Sequence, residues 1–135
     1  MKTIWLVVPC YNEEEVLPET SRQLKAVMNS MIEKSKISPE SKITFVNDGS
    51  KDGTWDIISS LCAEDSLFAG INLSRNRGHQ NALLAGLMTA KKYADAAISL
   101  DADLQDDVDV VEKMVDNFLA VSYTHLRAHE TVLDL

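Results

Sequence analysis

The stretch ISLDADLQDD, residues 98–107, runs from a short apolar segment straight into four aspartates and a glutamine. The chain already carries a net charge of −8, and like charges brought close repel and raise one another's pKa. Crowding acid at this point therefore needs compensation. The apolar residues ahead of it, AAISLD, have the length and composition of a buried strand, which puts the acids at the carboxyl end of that strand.

The same arrangement recurs upstream. TIWLVVP is a nearly continuous apolar run that ends in PCYNEEE; KITFVND ends in NDGSKDG; FAGINLS, weakened by its glycine, ends in SRNRGH. Helical patterns lie between these runs. Leu17, Leu24, Val27, Met28, Met31 and Ile32 recur at steps of three and four, and Trp55, Ile58, Leu61 and Cys62 trace a second helix face. GHQNALLAGLMTAKKY is a helix of small residues suited to close packing, and Val108, Val111, Val115, Phe118 and Leu119 mark a fourth. Strands apolar on both faces that alternate with helices predict an α/β, doubly wound, mostly parallel sheet with helices on both faces. In that architecture ligands bind beyond the carboxyl ends of the strands, where strand order reverses. All four polar clusters fall on that rim.

Composition bounds the rest. With 135 residues, 45% of them hydrophobic, the chain suffices for one core. Its 13 basic against 21 acidic residues exclude the broad basic surface that nucleic acid or anionic lipid would need. Cys10 and Cys62 are too few and too far apart for a disulfide framework, and are expected to be buried thiols of a reducing compartment. No apolar run reaches the roughly 18 to 20 residues that cross a bilayer, and the start turns acidic where a signal peptide would place small residues. The expectation is a soluble, cytoplasmic chain.

The end breaks character. VSYTHLRAHET, residues 121–131, holds His125 and His129 at helical spacing beside Glu130, yet reads like one frame of a transposase adapter from sequencing libraries. The expected organisation is a nucleotide-binding unit over 1–120, with 121–135 as read-through and no metal role for the two histidines.

Each rim cluster offers specific chemistry. Asp101 and Asp103 flank one residue, so both carboxylates can reach a single hard cation such as Mg²⁺ or Mn²⁺, whose remaining ligands come from water and phosphate. Gln105 can touch the ion or its water, while Asp106 and Asp107 suit the first turn of the following helix. Asp48, just past a buried strand, can reach a ribose hydroxyl or a base N–H; Ser50 or Asp52 can cap the next helix. Arg75 and Arg77 could clamp phosphate oxygens beside Gly78, where the backbone can approach a ligand closely. His79 receives no role.

VVPCYNEEEVLP, FVNDGSKDGT, LSRNRGHQNALLAGL and SLDADLQDD, in this order and spacing, resemble the family 2 glycosyltransferases, and within them the polyprenyl-phosphate sugar transferases of the dolichyl-phosphate mannose synthase and undecaprenyl-phosphate glucosyltransferase type. The resemblance covers residues 3 to 120. It implies the nucleotide-sugar half of a GT-A fold, with Pro9, Tyr11, Asn12 and Glu13 along the nucleoside and Asp48 on base or ribose. Asp101 and Asp103, helped by Gln105, would hold Mg²⁺ or Mn²⁺ on the diphosphate of a UDP- or GDP-linked sugar, with Ala102 counted among the donor contacts. Asn47 stands where many relatives have an aspartate, which loosens the implied base preference. The resemblance further implies inversion, a lipid-phosphate acceptor, and a parent protein at the cytoplasmic face of the cell membrane through parts outside this chain, without which these residues are expected to be inactive. Two other readings remain: a non-catalytic nucleotide-sugar-binding module, and transfer to a saccharide in cell-wall or polysaccharide synthesis. A receiver domain fits poorly, because its acids would follow the third strand, where SRNRGH stands.

Overall fold

Ile4–Cys10 forms β1, buried at every residue, as a strand must be that has neighbours on both edges and helices on both faces. The computed structural model of the chain describes residues 1–104, 108–120 and 132–134. β1 pairs in parallel with β2 (Lys42–Asp48) along one edge and with β4 (Ala96–Ser99) along the other. β3 (Phe68–Leu73) continues the sheet beyond β2 in parallel, and β5 (Val132–Asp134) lies antiparallel beyond β4, so the strand order is β3-β2-β1-β4-β5.

The period-two alternation along β1 divides the core in two. Ile4, Leu6, Val8 and Cys10 pack with Leu24, Met28 and Met31 of α1 (Leu17–Glu33), Ile58 of α2 (Thr54–Glu64), and Val111, Val115 and Phe118 of α4 (Asp109–Ala120). Trp5 and Val7 face the other way, onto Ala82 and Ala90 of α3 (His79–Ala90), with Val46 and Ala97 beside them. The chain thus winds outward from β1 through β2 to β3 with α1 and α2 on one face. It then crosses the opposite face as α3 and returns on the far side of β1. Strand order reverses between β1 and β4, the place where this architecture opens a crevice.

The expected alternation of four strands and four helices is present, and the observed bounds differ from the sequence reading by a few residues at most, where helix and strand ends fray. Three details differ or extend it. Cys62 is half-buried, whereas Cys10 is fully buried, and both are free. Asp52, and not Ser50, accepts the Thr54 N–H at the start of α2 (3.0 Å). β5 was not foreseen, since it lies in the segment assigned to read-through; residues 121–131, His125 and His129 among them, and Asp106 and Asp107 lie outside the described residues. Among the described residues no helix is long and apolar enough to cross a membrane.

Close packing of α3 depends on Gly86. A Cβ there would stand 2.4 Å from Val7 Cγ1 and 3.0 Å from Val46 Cγ2, both on β-branched side chains with little freedom to move. Gly86→Ala gains about 1 kcal/mol of helix propensity against an overpacking cost of about 1–3 kcal/mol. The expected outcome is a net loss of stability of about 1 kcal/mol, read as a lower urea midpoint with an unchanged slope.

Candidate functional site

Four loops leave the carboxyl ends of the parallel strands, and contacts between main chain and side chains tie the first three together. Asn12, at φ 53°, turns its amide toward the second loop, where Oδ1 accepts the Lys51 N–H at 2.8 Å and the Asn12 N–H donates to Ser50 Oγ at 2.9 Å. The Glu13 N–H donates to Thr54 Oγ1 at 2.8 Å, fastening the first loop to the head of α2. The second and third loops meet at Gly49, at φ 66°, where a Cβ would stand 2.2 Å from the Asn76 nitrogen and no side chain fits. Asp48, only 3% exposed, completes that junction by accepting the Arg77 N–H at 2.6 Å.

The fourth loop is held from below. The Leu100 N–H donates to the Val7 carbonyl at 3.0 Å, extending the β1–β4 ladder by one rung. Thr20 of α1 donates its hydroxyl to the Ala102 carbonyl at 2.6 Å, and Ala102 itself is buried. With the middle residue turned inward, Asp101 and Asp103 both stay exposed to solvent.

Between these loops lies a cleft of about 330 Å³ lined by Pro9, Cys10, Tyr11, Glu13, Asp48, Asn76, Gly78, His79, Asp101, Ala102 and Asp103. It stands at the reversal point between β1 and β4. Of the residues singled out from sequence, Pro9, Tyr11, Glu13, Asp48, Asp101, Ala102 and Asp103 meet in its wall. Asn12 lies beside it with its amide engaged by Lys51. Arg75 and Arg77 are exposed and outside the lining; Arg77 serves the site through its main-chain N–H on Asp48. Gln105 lies outside the described residues. Cys10, Asn76 and His79 enter the wall without having been assigned a role; all three belong to the rim clusters that sequence had already marked.

The electrostatics of the cleft are one-sided. Burial pushes the Glu13 carboxyl above its usual range, and the negative charges of Asp103, Asp52 and Asp101 push it further. The Cys10 thiol is raised far above the ordinary cysteine range by burial, with a further push from Glu13, so it is an inert wall and not a nucleophile. Among the described residues no group of three or more His, Cys, Asp or Glu side chains forms a complete metal cage. Two carboxylates in a negative field, with oxygen donors alone, suit a hard divalent cation that takes its other ligands from water and a bound diphosphate.

Known proteins resemble this chain in sequence and in fold. Residues 5–124 match the profile described as glycosyl transferase family 2. The uncharacterized glycosyltransferase YkoT of Bacillus subtilis is 53% identical over 106 residues, covering 78% of this chain and 32% of its own length. The bactoprenol glucosyl transferase of Shigella phage SfV is 39% identical over 118 residues, covering 87% of this chain and 36% of its own. The chain therefore spans about a third of the length of the curated relatives it matches. Among solved structures, the mannosyltransferase PcManGT from Pyrobaculum calidifontis, in complex with GDP-Man and Mn²⁺, superposes with a TM-score of 0.66 at 20% identity, over 87% of this chain and 32% of that one. That likeness is one of fold. The doubly wound sheet is the GT-A fold, and the chain belongs to glycosyl transferase family 2.

Proposed function

We propose that the cleft binds a nucleoside-diphosphate sugar, UDP- or GDP-linked, together with Mg²⁺ or Mn²⁺, and that the protein transfers the sugar with inversion to a polyprenyl phosphate. One observation carries this reading: Asp101 and Asp103 open into the same cleft as Pro9, Tyr11 and Asp48, at the reversal of strand order. The 39% identity to a bactoprenol glucosyl transferase supports a lipid-phosphate acceptor, and the GDP-Man and Mn²⁺ complex of a protein with the same fold supports the donor and the ion.

The residues would divide the work as follows. Tyr11 and Pro9 would flank the nucleoside, and Asp48, its carboxylate fixed by the Arg77 N–H, would accept a hydrogen bond from ribose or base. Asp101 and Asp103 would hold the cation, and Gln105 would complete or hydrate its shell. A divalent ion there supplies Lewis-acid stabilisation of the charge that develops on the departing diphosphate. Ala102 would wall the donor from beneath, its carbonyl fixed by Thr20. A lipid phosphate brings an oxygen that is already anionic at neutral pH, so attack on the anomeric carbon needs no strong general base from this chain. Such an acceptor would place the activity at a membrane surface, and a nucleotide-linked donor would place it on the cytoplasmic face.

Two measurements test the reading. Titration calorimetry with UDP-glucose and GDP-mannose should show binding of one of them that depends on Mn²⁺, and Asp101→Asn or Asp103→Asn should weaken it at least about tenfold; binding indifferent to Mn²⁺ and to both substitutions would sink it. Metal-dependent binding with no transfer to undecaprenyl phosphate by a longer natural chain would instead favour a donor-binding module. The second measurement concerns Glu13 in metal-free protein. Because its folded pKa is raised, ionised Glu13 costs stability in full above that folded pKa and nothing below its unfolded pKa. Glu13→Gln is therefore expected to raise the urea midpoint at pH 8 in EDTA, with the gain shrinking as pH falls toward 4.

A further inference from the structure

Among the described residues α3 is the helix on its face of the sheet, opposite α1, α2 and α4, and its outer side is bare. Leu84 is 55% exposed and Met88, one turn on, 60% exposed. Tyr93 is 66% exposed and lies stacked on Trp5 with ring centroids 5.5 Å apart. Asn81, Leu84, Met88 and Lys91 follow one another at steps of three and four, which sets them in one line along the helix. The line has an apolar middle and Lys91 at its C-terminal end, and the loop ahead of the helix carries Arg75 and Arg77. Residues 74–94 contain four of the 13 basic residues, Arg75, Arg77, Lys91 and Lys92, and none of the 21 acidic ones, in a chain of net charge −8. The nearest acid in sequence, Asp95, accepts the Thr3 N–H at 2.8 Å. Glu40, across the groove from Tyr93, has Lys42 beside it.

We propose that this face docks on an anionic phospholipid surface, with Leu84, Met88 and the Tyr93 ring entering the headgroup layer and the four cations meeting lipid phosphates. A short apolar stripe with cations at its ends matches an interfacial helix, and long basic side chains can keep their heads in the phosphate plane while their stems lie in apolar surroundings. Charge decides against the other occupants. A second copy packed face to face would set the same cations near one another, and four cations in two pairs, one at each end of α3, make a local patch and not the broad basic track of a nucleic-acid binder. The inference stands apart from the donor chemistry of the cleft, since none of Leu84, Met88, Lys91, Lys92 or Tyr93 lines it.

Co-sedimentation of the chain with vesicles of phosphatidylglycerol and phosphatidylcholine, against vesicles of phosphatidylcholine alone, tests the proposal. Binding is expected to the anionic vesicles and to weaken with salt, with a loss in partition of about fivefold for each cation removed in Lys91→Ala and Lys92→Ala. Leu84→Ser with Met88→Ser is also expected to lower it, while circular dichroism and donor titration stay those of the unaltered chain. Equal binding to both vesicle types, or partition unchanged by the lysine pair, overturns the proposal. So does self-association abolished by the Leu84 and Met88 changes in a chain that binds no vesicles, which would assign the face to a second copy. Vesicle binding without any donor binding would leave this inference intact and remove the reading of the cleft.

Discussion

β1 is hydrogen-bonded on both edges and packed on both faces, and every part of the cleft takes its position from that strand. Its pairing with β2 sets the first loop against the second, where Asn12 and Ser50 join them. Its pairing with β4, extended by the Leu100 N–H on the Val7 carbonyl, sets the acidic loop at the same height. A slip of one residue in either register would exchange the two faces of a strand, and the core could not accommodate it: Leu6, Val7 and Val8 are all fully buried, on alternating sides. The location of the site is thus fixed by burial energy acting far from the cleft.

The molecule separates its charges in space. Acid gathers at the rim, where the charges of Asp103, Asp52 and Asp101 act on Glu13. The opposite sign gathers beside α3, in a stretch with no acidic residue. Uniform mixing of both signs would be the ordinary way to keep a small surface soluble. Arg75 and Arg77 sit in the loop that reaches the rim, while Lys91 and Lys92 follow the far end of α3, so only the second pair is removed from the acids of the cleft.

Much of this was legible in the sequence because it depends on periodicity. Apolar runs ending in polar clusters gave four strands and their common rim, and the D-x-D spacing followed from strand geometry once a loop began at Asp101. What was not legible depends on backbone direction within loops. A positive φ at Asn12 turns an amide that looked like a ligand contact onto Lys51. Arg77 looked like a phosphate clamp by side chain, yet its main-chain N–H is what reaches Asp48. Cys10 and Asn76 lay in marked rim clusters, but which residues of a cluster turn into the wall is decided by tertiary closure and not by residue type or spacing. β5 depends on pairing with a strand far away in sequence, and its own composition gave no reason to expect it.

The hydroxyl of Thr20 on the Ala102 carbonyl has a thermodynamic corollary. A loop fastened to the helix beneath it loses its conformational freedom when the chain folds, so that loss need not be incurred again when a ligand arrives. At Ala102 the main chain is therefore already placed before any ligand arrives, and the freedom left to lose on binding is that of the exposed Asp101 and Asp103 side chains.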